Sequence, residues 1–202
     1  MHSLDRRAVR LKLMLAVVLV TTLSSCTKAE TTSPANPNAV PPKSPAAVAS
    51  PSGSASVGCN ESRPAIAVAA ADWILGPLSY PDLVGGQFPL AEASGAADSD
   101  GIRFYKVGTN LLPDHNVTVS IGEAARAYAG IKTERGPAVG YSSVTYTSCP
   151  SSSPSIGPGG VWWVGGFTLV GRSSACVPLE VQVSGEADVR HVHLLIGKSS
   201  CT

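Results

Sequence analysis

The sequence contains none of the short motifs that mark the common catalytic sites. It has no G-x-S-x-G, no H-E-x-x-H, no phosphate-binding P-loop and no glycine fingerprint for dinucleotides. These absences remove the sequence support for a serine hydrolase of that type, a zinc protease, a nucleotide hydrolase and a nicotinamide enzyme. We therefore expect a protein that is not an enzyme, and no motif requires a cofactor.

Charged residues are also scarce, at 14% of the chain, and aromatic residues make up only 5%. The formal net charge of +1 comes from the first part of the sequence. From Cys59 onward, nine Lys and Arg face twelve Asp and Glu. A slightly acidic domain without a basic stripe argues against nucleic acid as a partner.

No apolar run is long enough to cross a membrane as a helix. The cationic residues Arg6, Arg7 and Arg10 precede an apolar run that includes Leu13–Val20. That run is about a dozen residues long, whereas a bilayer span needs ~20. A cationic start followed by a short apolar core is typical of a secretory signal peptide.

The residues after this core, Leu23-Ser24-Ser25-Cys26, resemble the lipobox of bacterial lipoproteins. The resemblance implies cleavage between Ser25 and Cys26 and a diacylglycerol on the Cys26 thiol. It also implies a lipid bilayer as partner and a place on the extracytoplasmic face of the cell membrane. Two acyl chains suffice for stable anchoring. The alternative is an ordinary signal peptide in which Cys26 is incidental.

Composition divides the chain into three parts: a signal peptide at 1–25, a lipidated cysteine with a tether at 26–58, and a domain at 59–202. The tether is rich in Ala, Ser, Thr and Pro and has no aromatic residue or apolar period. Its prolines oppose helix and sheet, which predicts a disordered segment. The remaining length suits one domain.

Four cysteines remain for the domain once Cys26 is assigned to lipid: Cys59, Cys149, Cys176 and Cys201. None forms a C-x-x-C pair, so zinc-ribbon and thioredoxin hypotheses have little support. An even number of cysteines in an exported chain favours two disulfides. Three pairings are possible, and the strand prediction below suggests Cys59–Cys149 and Cys176–Cys201.

The domain has the pattern of an all-β protein. Alternating or β-branched runs predict strands, and the clearest four are listed as Val139–Ser148, Val161–Val170, Val177–Val183 and Val189–Ile196. Their short connections predict an antiparallel meander, with Cys176 and Cys201 at the same end of the last hairpin. Earlier strands are predicted at Ile102–Val107 and Val117–Ile121, while the apolar run Ala65–Ala71 suits a strand or a short helix.

One sheet cannot bury its own apolar face, so we expect a small antiparallel β-sandwich made of two sheets. Its architecture would be immunoglobulin-like, although the Cys–Trp–Cys order of that superfamily is not met cleanly. Gly165-Gly166 inside a strand predicts a bulge or the close approach of another backbone. A helix of one or two turns is predicted at Glu123–Ala129.

The whole chain resembles short, Ala/Gly/Pro-rich lipoproteins of actinobacteria, whose mature domains are mostly uncharacterised. The lipobox and the tether carry this resemblance, together with a loose Trp-x-Gly-Gly-Phe pattern at Trp163–Phe167 and Cys-Val-Pro-Leu at Cys176–Leu179. It carries over no catalytic residue.

His191 and His193 form the sharpest chemical pattern in the domain. Alternate strand residues share a face, so both imidazoles could approach one metal ion, with His115 or a carboxylate as third ligand. The stronger alternative places both histidines on the solvent side, because Val192, Leu194 and Ile196 form the more apolar face. We therefore predict no metal site.

Trp162 and Trp163 are neighbours on a predicted strand, so their rings should face opposite ways. One of them is expected in the core. The other is a possible platform for a sugar or a partner protein, beside Tyr141 or Tyr146. Trp162, Trp163, His191 and His193 are thus the candidate ligand-binding residues.

These observations favour a membrane-anchored, extracytoplasmic lipoprotein that acts as a non-catalytic binding or interaction module of the cell envelope. An envelope protein or a polysaccharide is the expected partner. The alternative from another class is a small secreted metal-binding protein or hydrolase that uses the face of His191 and His193. A third hypothesis is a purely structural lipoprotein that spaces the wall.

Overall fold

The computed structural model describes residues 49–88, 97–198, 200 and 201. Every strand and both disulfides of these ranges lie in the compact unit Pro45–Thr202. The predicted signal peptide, Cys26 and the predicted tether up to residue 48 lie outside the described residues. Within the described ranges, no helix has the length and apolarity that a membrane span needs.

The described chain is all-β, as the sequence predicts. Its strands are β1 Ser54–Val57, β2 Arg63–Pro64, β3 Trp73–Leu75, β4 Leu78–Tyr80, β5 Ile102–Lys106, β6 Thr109–Leu111, β7 Asn116–Ile121, β8 Ala129–Thr133, β9 Ser143–Thr147, β10 Val161–Trp163, β11 Gly165–Val170, β12 Ala175–Val183 and β13 Val189–Ile196. Short 3-10 turns occur at Cys59–Glu61, Val84–Gly86 and Glu123–Ala125. The last of these replaces the predicted helix at Glu123–Ala129.

The strands form three sheets, which we call A, B and C. Sheet A has the order β1-β9-β7-β12-β13, sheet B the order β2-β10-β6-β4-β3, and sheet C the order β5-β11-β8. Every pair is antiparallel except β1 with β9, which is parallel. Sheet A is therefore mixed, where the sequence predicted antiparallel strands throughout.

The core lies between sheet A and the layer made by sheets B and C. In β7 and β12, alternate residues are buried, which is the period expected of a sheet with one face on the core. Rings join the three sheets: between the layers, Tyr146 of sheet A lies 5.4 Å from Trp163 of sheet B, and within the second layer Tyr80 of sheet B lies 5.5 Å from Phe167 of sheet C. This packing is the predicted β-sandwich.

Both predicted disulfides are confirmed. Cys59 and Cys149 are bonded with their Cα atoms 4.8 Å apart, and Cys176 and Cys201 with theirs 5.4 Å apart. The second bridge follows from the β12–β13 hairpin, in which Ala175 lies opposite Ile196. Cys176 and the residues after Ile196 therefore lie at the same end of sheet A, as the strand pattern predicted.

The predicted meander is wrong, because among its four strands only β12 and β13 are neighbours. The predicted strand Val161–Val170 is two strands, β10 in sheet B and β11 in sheet C. Gly165 and Gly166 explain part of this arrangement. A Cβ on Gly166 would lie 2.1 Å from the carbonyl oxygen of Tyr105, so the predicted close approach of another backbone is confirmed.

The immunoglobulin-like part of the prediction is not confirmed, since the described residues form three sheets instead of two.

The boundary at Cys59 is also wrong. Ser54–Val57, placed in the tether, forms the edge strand β1, and Ser142 donates its N–H to the Gly53 carbonyl over 3.1 Å. Small polar residues suffice there, because β1 pairs through its backbone and buries mainly Val57.

Candidate binding site

A cleft of about 540 Å³ lies where three parts of the fold meet. One wall is the segment that follows β1, and the other is the turn that follows β8. The floor is aromatic and belongs to β9 and β10. The lining residues are Val57, Asn60, Glu61, Ser62, Arg63, Thr133, Glu134, Arg135, Tyr146, Trp163 and Val164.

The first wall is held by a disulfide and by local hydrogen bonds. Cys59 is bonded to Cys149, which is fully buried beside β9. Ser62 donates its N–H and its hydroxyl to the Cys59 carbonyl, over 3.2 and 2.7 Å. Glu61 accepts the N–H of Gly58 over 3.2 Å. The wall is therefore positioned before any ligand arrives, which lowers the entropic cost of binding.

Arg63 connects the two walls at the mouth of the cleft. Its Nη2 lies 3.3 Å from Glu134 Oε1, and both side chains are about half exposed, at 51% and 53%. Its guanidinium carbon lies 5.3 Å from the centroid of the Trp162 ring, a cation–π contact. An exposed ion pair of this kind adds little stability, so its main effect is to order polar groups at the mouth.

The floor is buried and neutral. Trp163 is 4% exposed and donates its indole N–H to the Gly58 carbonyl over 3.0 Å. The hydroxyl of Thr109 donates to the Tyr146 hydroxyl over 3.4 Å. Burial raises the pKa of Tyr146 to about 12, while the hydrogen bond with Thr109 opposes that rise. The phenol therefore keeps its proton throughout the physiological range.

The two tryptophans face opposite ways, as predicted. Trp163 belongs to the core, whereas Trp162 is half-buried on the other face of sheet B. Of the two tyrosines expected beside the outer ring, Tyr141 or Tyr146, the second packs on Trp163 instead. Trp162 instead lies under Arg63, so it borders the cleft without lining it.

His191 and His193 lie on the exposed side of β13, while Leu194 and Ile196 point into the core. Opposite them on β12 are Glu180 and Pro178. Across the described ranges, no three His, Cys, Asp or Glu side chains come close enough to hold a metal ion. Glu180 is thus the cross-strand neighbour of His191, but within these ranges neither it nor His115 completes a group of three possible ligands with the two histidines.

Sequence inspection missed the polar cleft residues, Arg63, Glu134 and Arg135. Arg63 and Glu134 are 71 positions apart, and no motif marks either. The sequence feature that comes closest to predicting these residues is the expected Cys59–Cys149 bridge, because it brings the segment after Cys59 to the end of β9. A map of the disulfides alone would have placed one wall of the cleft.

Compared with known proteins, the chain matches no family model, no curated protein and no solved structure.

Proposed function

We propose that this protein is an extracytoplasmic lipoprotein, anchored to the cell membrane through a diacylglycerol on Cys26. The lipobox-like residues Leu23–Cys26 support the anchor. Independent support for export comes from the two disulfides of the domain, because such bonds persist in oxidising compartments and are rare in the cytosol. Exchange of Cys26→Ala should release the protein or block its processing; unchanged membrane retention would contradict this proposal.

The domain acts as a non-catalytic binding module, and the cleft carries this part of the proposal. Its size, about 540 Å³, lies within the range of small-molecule sites. Two arginines and two glutamates line it, so it has donors and acceptors without net charge. Sugar hydroxyls both donate and accept hydrogen bonds. An uncharged segment of an envelope polysaccharide therefore fits this lining better than an ion does.

Both carboxylates of the cleft are already engaged in structural contacts, which favours binding over catalysis. Glu61 accepts a backbone N–H, and Glu134 pairs with Arg63. A general acid or base must instead reach the proton that it transfers in the bound substrate. The buried phenol of Tyr146 is held neutral and can contribute a hydrogen bond only.

Binding of the full-length protein, extracted in detergent, to immobilised envelope oligosaccharides tests the role of the cleft. Arg63→Ala and Glu134→Ala should each weaken binding by about tenfold or more, since each removes a hydrogen-bonding group at the mouth. The matched control is Glu186→Ala, which breaks the ion pair of Glu186 with Arg190, at 2.6 Å and outside the cleft. Equal losses in the three variants, or no binding by the wild type, would contradict a saccharide site here.

A further inference from the structure

A second, smaller cavity of about 250 Å³ lies beside the end of β4 and shares no lining residue with the cleft. Its lining comes from residues 81–83, which follow β4, from Phe88, and from residues 106–108, at the end of β5 and in the connection to β6. At ~30 Å³ per water, the cavity holds about eight waters or a ligand of about ten non-hydrogen atoms. Its size therefore suits a small molecule and not a chain of sugars.

The floor of this cavity is apolar and fixed. Leu83, Phe88 and Val107 line it, and all three belong to the buried core. The Phe88 ring packs on the Tyr105 ring with centroids 5.6 Å apart, and the Phe88 N–H donates to the Leu195 carbonyl over 2.9 Å. The apolar surface is therefore in place before a ligand arrives, and an aliphatic group can be buried against it.

Two side chains of opposite charge, Asp82 and Lys106, line the same cavity, and both are exposed. Within the described part of the chain, neither side chain takes part in an ion pair or a hydrogen bond. A carboxylate and an ammonium group are therefore available together at the mouth of a cavity with an apolar floor.

The backbone holds Asp82 in a fixed position. Its φ of 59° lies in the left-handed region, which Asp tolerates better than most residues do. Its N–H donates to the Asp72 carboxylate over 3.3 Å, and the turn continues where the Gly86 N–H donates to the Leu83 carbonyl over 3.0 Å. Non-glycine residues in this region are frequent at ligand sites, where the surrounding contacts maintain them. The turn thus presents the Asp82 carboxylate to the cavity.

The charges and the width of the cavity indicate the chemistry of the ligand. An anion alone would meet the like charge of Asp82, and a cation alone would meet that of Lys106, whereas a zwitterion complements both. In an α-amino acid the ammonium and carboxylate groups are ~3 Å apart, and a charge-assisted hydrogen bond of ~2.8 Å at each end gives a span of about 8–9 Å. A sphere of the cavity's volume is about 8 Å across, so the span fits.

We propose that this cavity binds a free α-amino acid with an aliphatic side chain. The carboxylate of the ligand pairs with Lys106, its ammonium group pairs with Asp82, and its side chain packs against Leu83, Phe88 and Val107. This site depends neither on the cleft nor on an anchor at Cys26, so each of the three is tested by itself.

Isothermal titration calorimetry of the full-length protein, extracted in detergent, with L-leucine tests the site. Because both charged groups are exposed, the dissociation constant should be on the order of 1 mM. Asp82→Asn and Lys106→Gln should each weaken binding about fivefold. Asn tolerates the left-handed backbone, so the first variant keeps the turn. The matched controls are Asp100→Asn and Lys198→Gln, which remove exposed charges outside the cavity and should bind like the wild type.

Two analogues of leucine assign each charge to its partner. N-acetyl-L-leucine lacks the ammonium group and L-leucinamide lacks the carboxylate, so each should bind the wild type about fivefold more weakly than leucine does. Asp82→Asn should not weaken the binding of N-acetyl-L-leucine further, and Lys106→Gln should not weaken that of L-leucinamide further. Such a cycle between protein and ligand isolates each pair.

The proposal is overturned if the wild type does not bind L-leucine at ~10 mM, or if N-acetyl-L-leucine binds it as tightly as leucine does. Equal losses in the cavity variants and the matched controls would also overturn it. If Arg135→Gln lowers binding and Asp82→Asn does not, the amino acid lies in the cleft, which contradicts the proposal. Saccharide binding by Asp82→Asn should equal that of the wild type, so failure of the cleft is seen separately.

Discussion

Removal of the Cys59–Cys149 disulfide is expected to cost more stability than removal of the other bridge. The two bridges join residues 90 and 25 positions apart. In the chain-entropy relation, the corresponding contributions are about 4.5 and about 3.5 kcal/mol. The variant Cys59→Ala, Cys149→Ala should therefore be less stable than Cys176→Ala, Cys201→Ala by about 1 kcal/mol, which is (3/2)RT times the logarithm of the loop-length ratio.

Urea unfolding of both double variants under one set of conditions measures this difference. The first variant should also lose saccharide binding, because Cys59 positions the wall of the cleft that contains Glu61 and Arg63. The second should keep it. The reasoning fails if the variant that lacks the Cys176–Cys201 bridge is the less stable one by more than about 1 kcal/mol. It also fails if both variants bind the saccharide equally well.

Two further perturbations test the packing around the core. Gly166→Ala would place a Cβ 2.1 Å from a carbonyl oxygen of β5 and should lower the free energy of unfolding by about 3 kcal/mol. The control is Gly185→Ala, where a Cβ would meet open space but φ is +87, and it should lower the free energy of unfolding by about 1 kcal/mol. Equal losses of stability in urea unfolding would refute the close contact at Gly166. Burial raises the pKa of Tyr146 to about 12 in the folded protein, above the value of ~10 in the unfolded chain. The neutral phenol therefore contributes to stability fully below pH ~10, and the contribution is lost as the unfolded chain ionises first at higher pH. That contribution should fall by up to ~1.4 kcal/mol per unit between pH ~10 and ~12. Urea unfolding should show the fall, and Tyr146→Phe should make it shallower without abolishing it, because burial also raises the pKa of Tyr80.

Local patterns in the sequence predicted the local parts of this fold. The alternation in β7, β12 and β13 marks strands with one buried face, and the hairpin between the last two leads directly to the Cys176–Cys201 bridge. The opposite directions of Trp162 and Trp163 follow from the same period. Each of these inferences needs only neighbouring residues or one short connection.

The parts that failed depend on contacts between distant segments. β1 has too little apolar character to be recognised, and it is a strand because β9, some 90 residues later, offers an open edge. The apolar run Ala65–Ala71 was expected to be a strand or a helix, yet it has no regular structure and is largely exposed. The cleft escaped prediction for the same reason, since Arg63 and Glu134 meet only after sheets B and C have formed.

The most direct test of the account is the intact mass of the native protein recovered from the membrane fraction. We predict a chain that begins at Cys26, carries a diacylglycerol, and shows four fewer hydrogens than its fully reduced form because both disulfides are closed. A chain that retains residues 1–25, or begins elsewhere without lipid, would contradict the proposed anchor and with it the extracytoplasmic role.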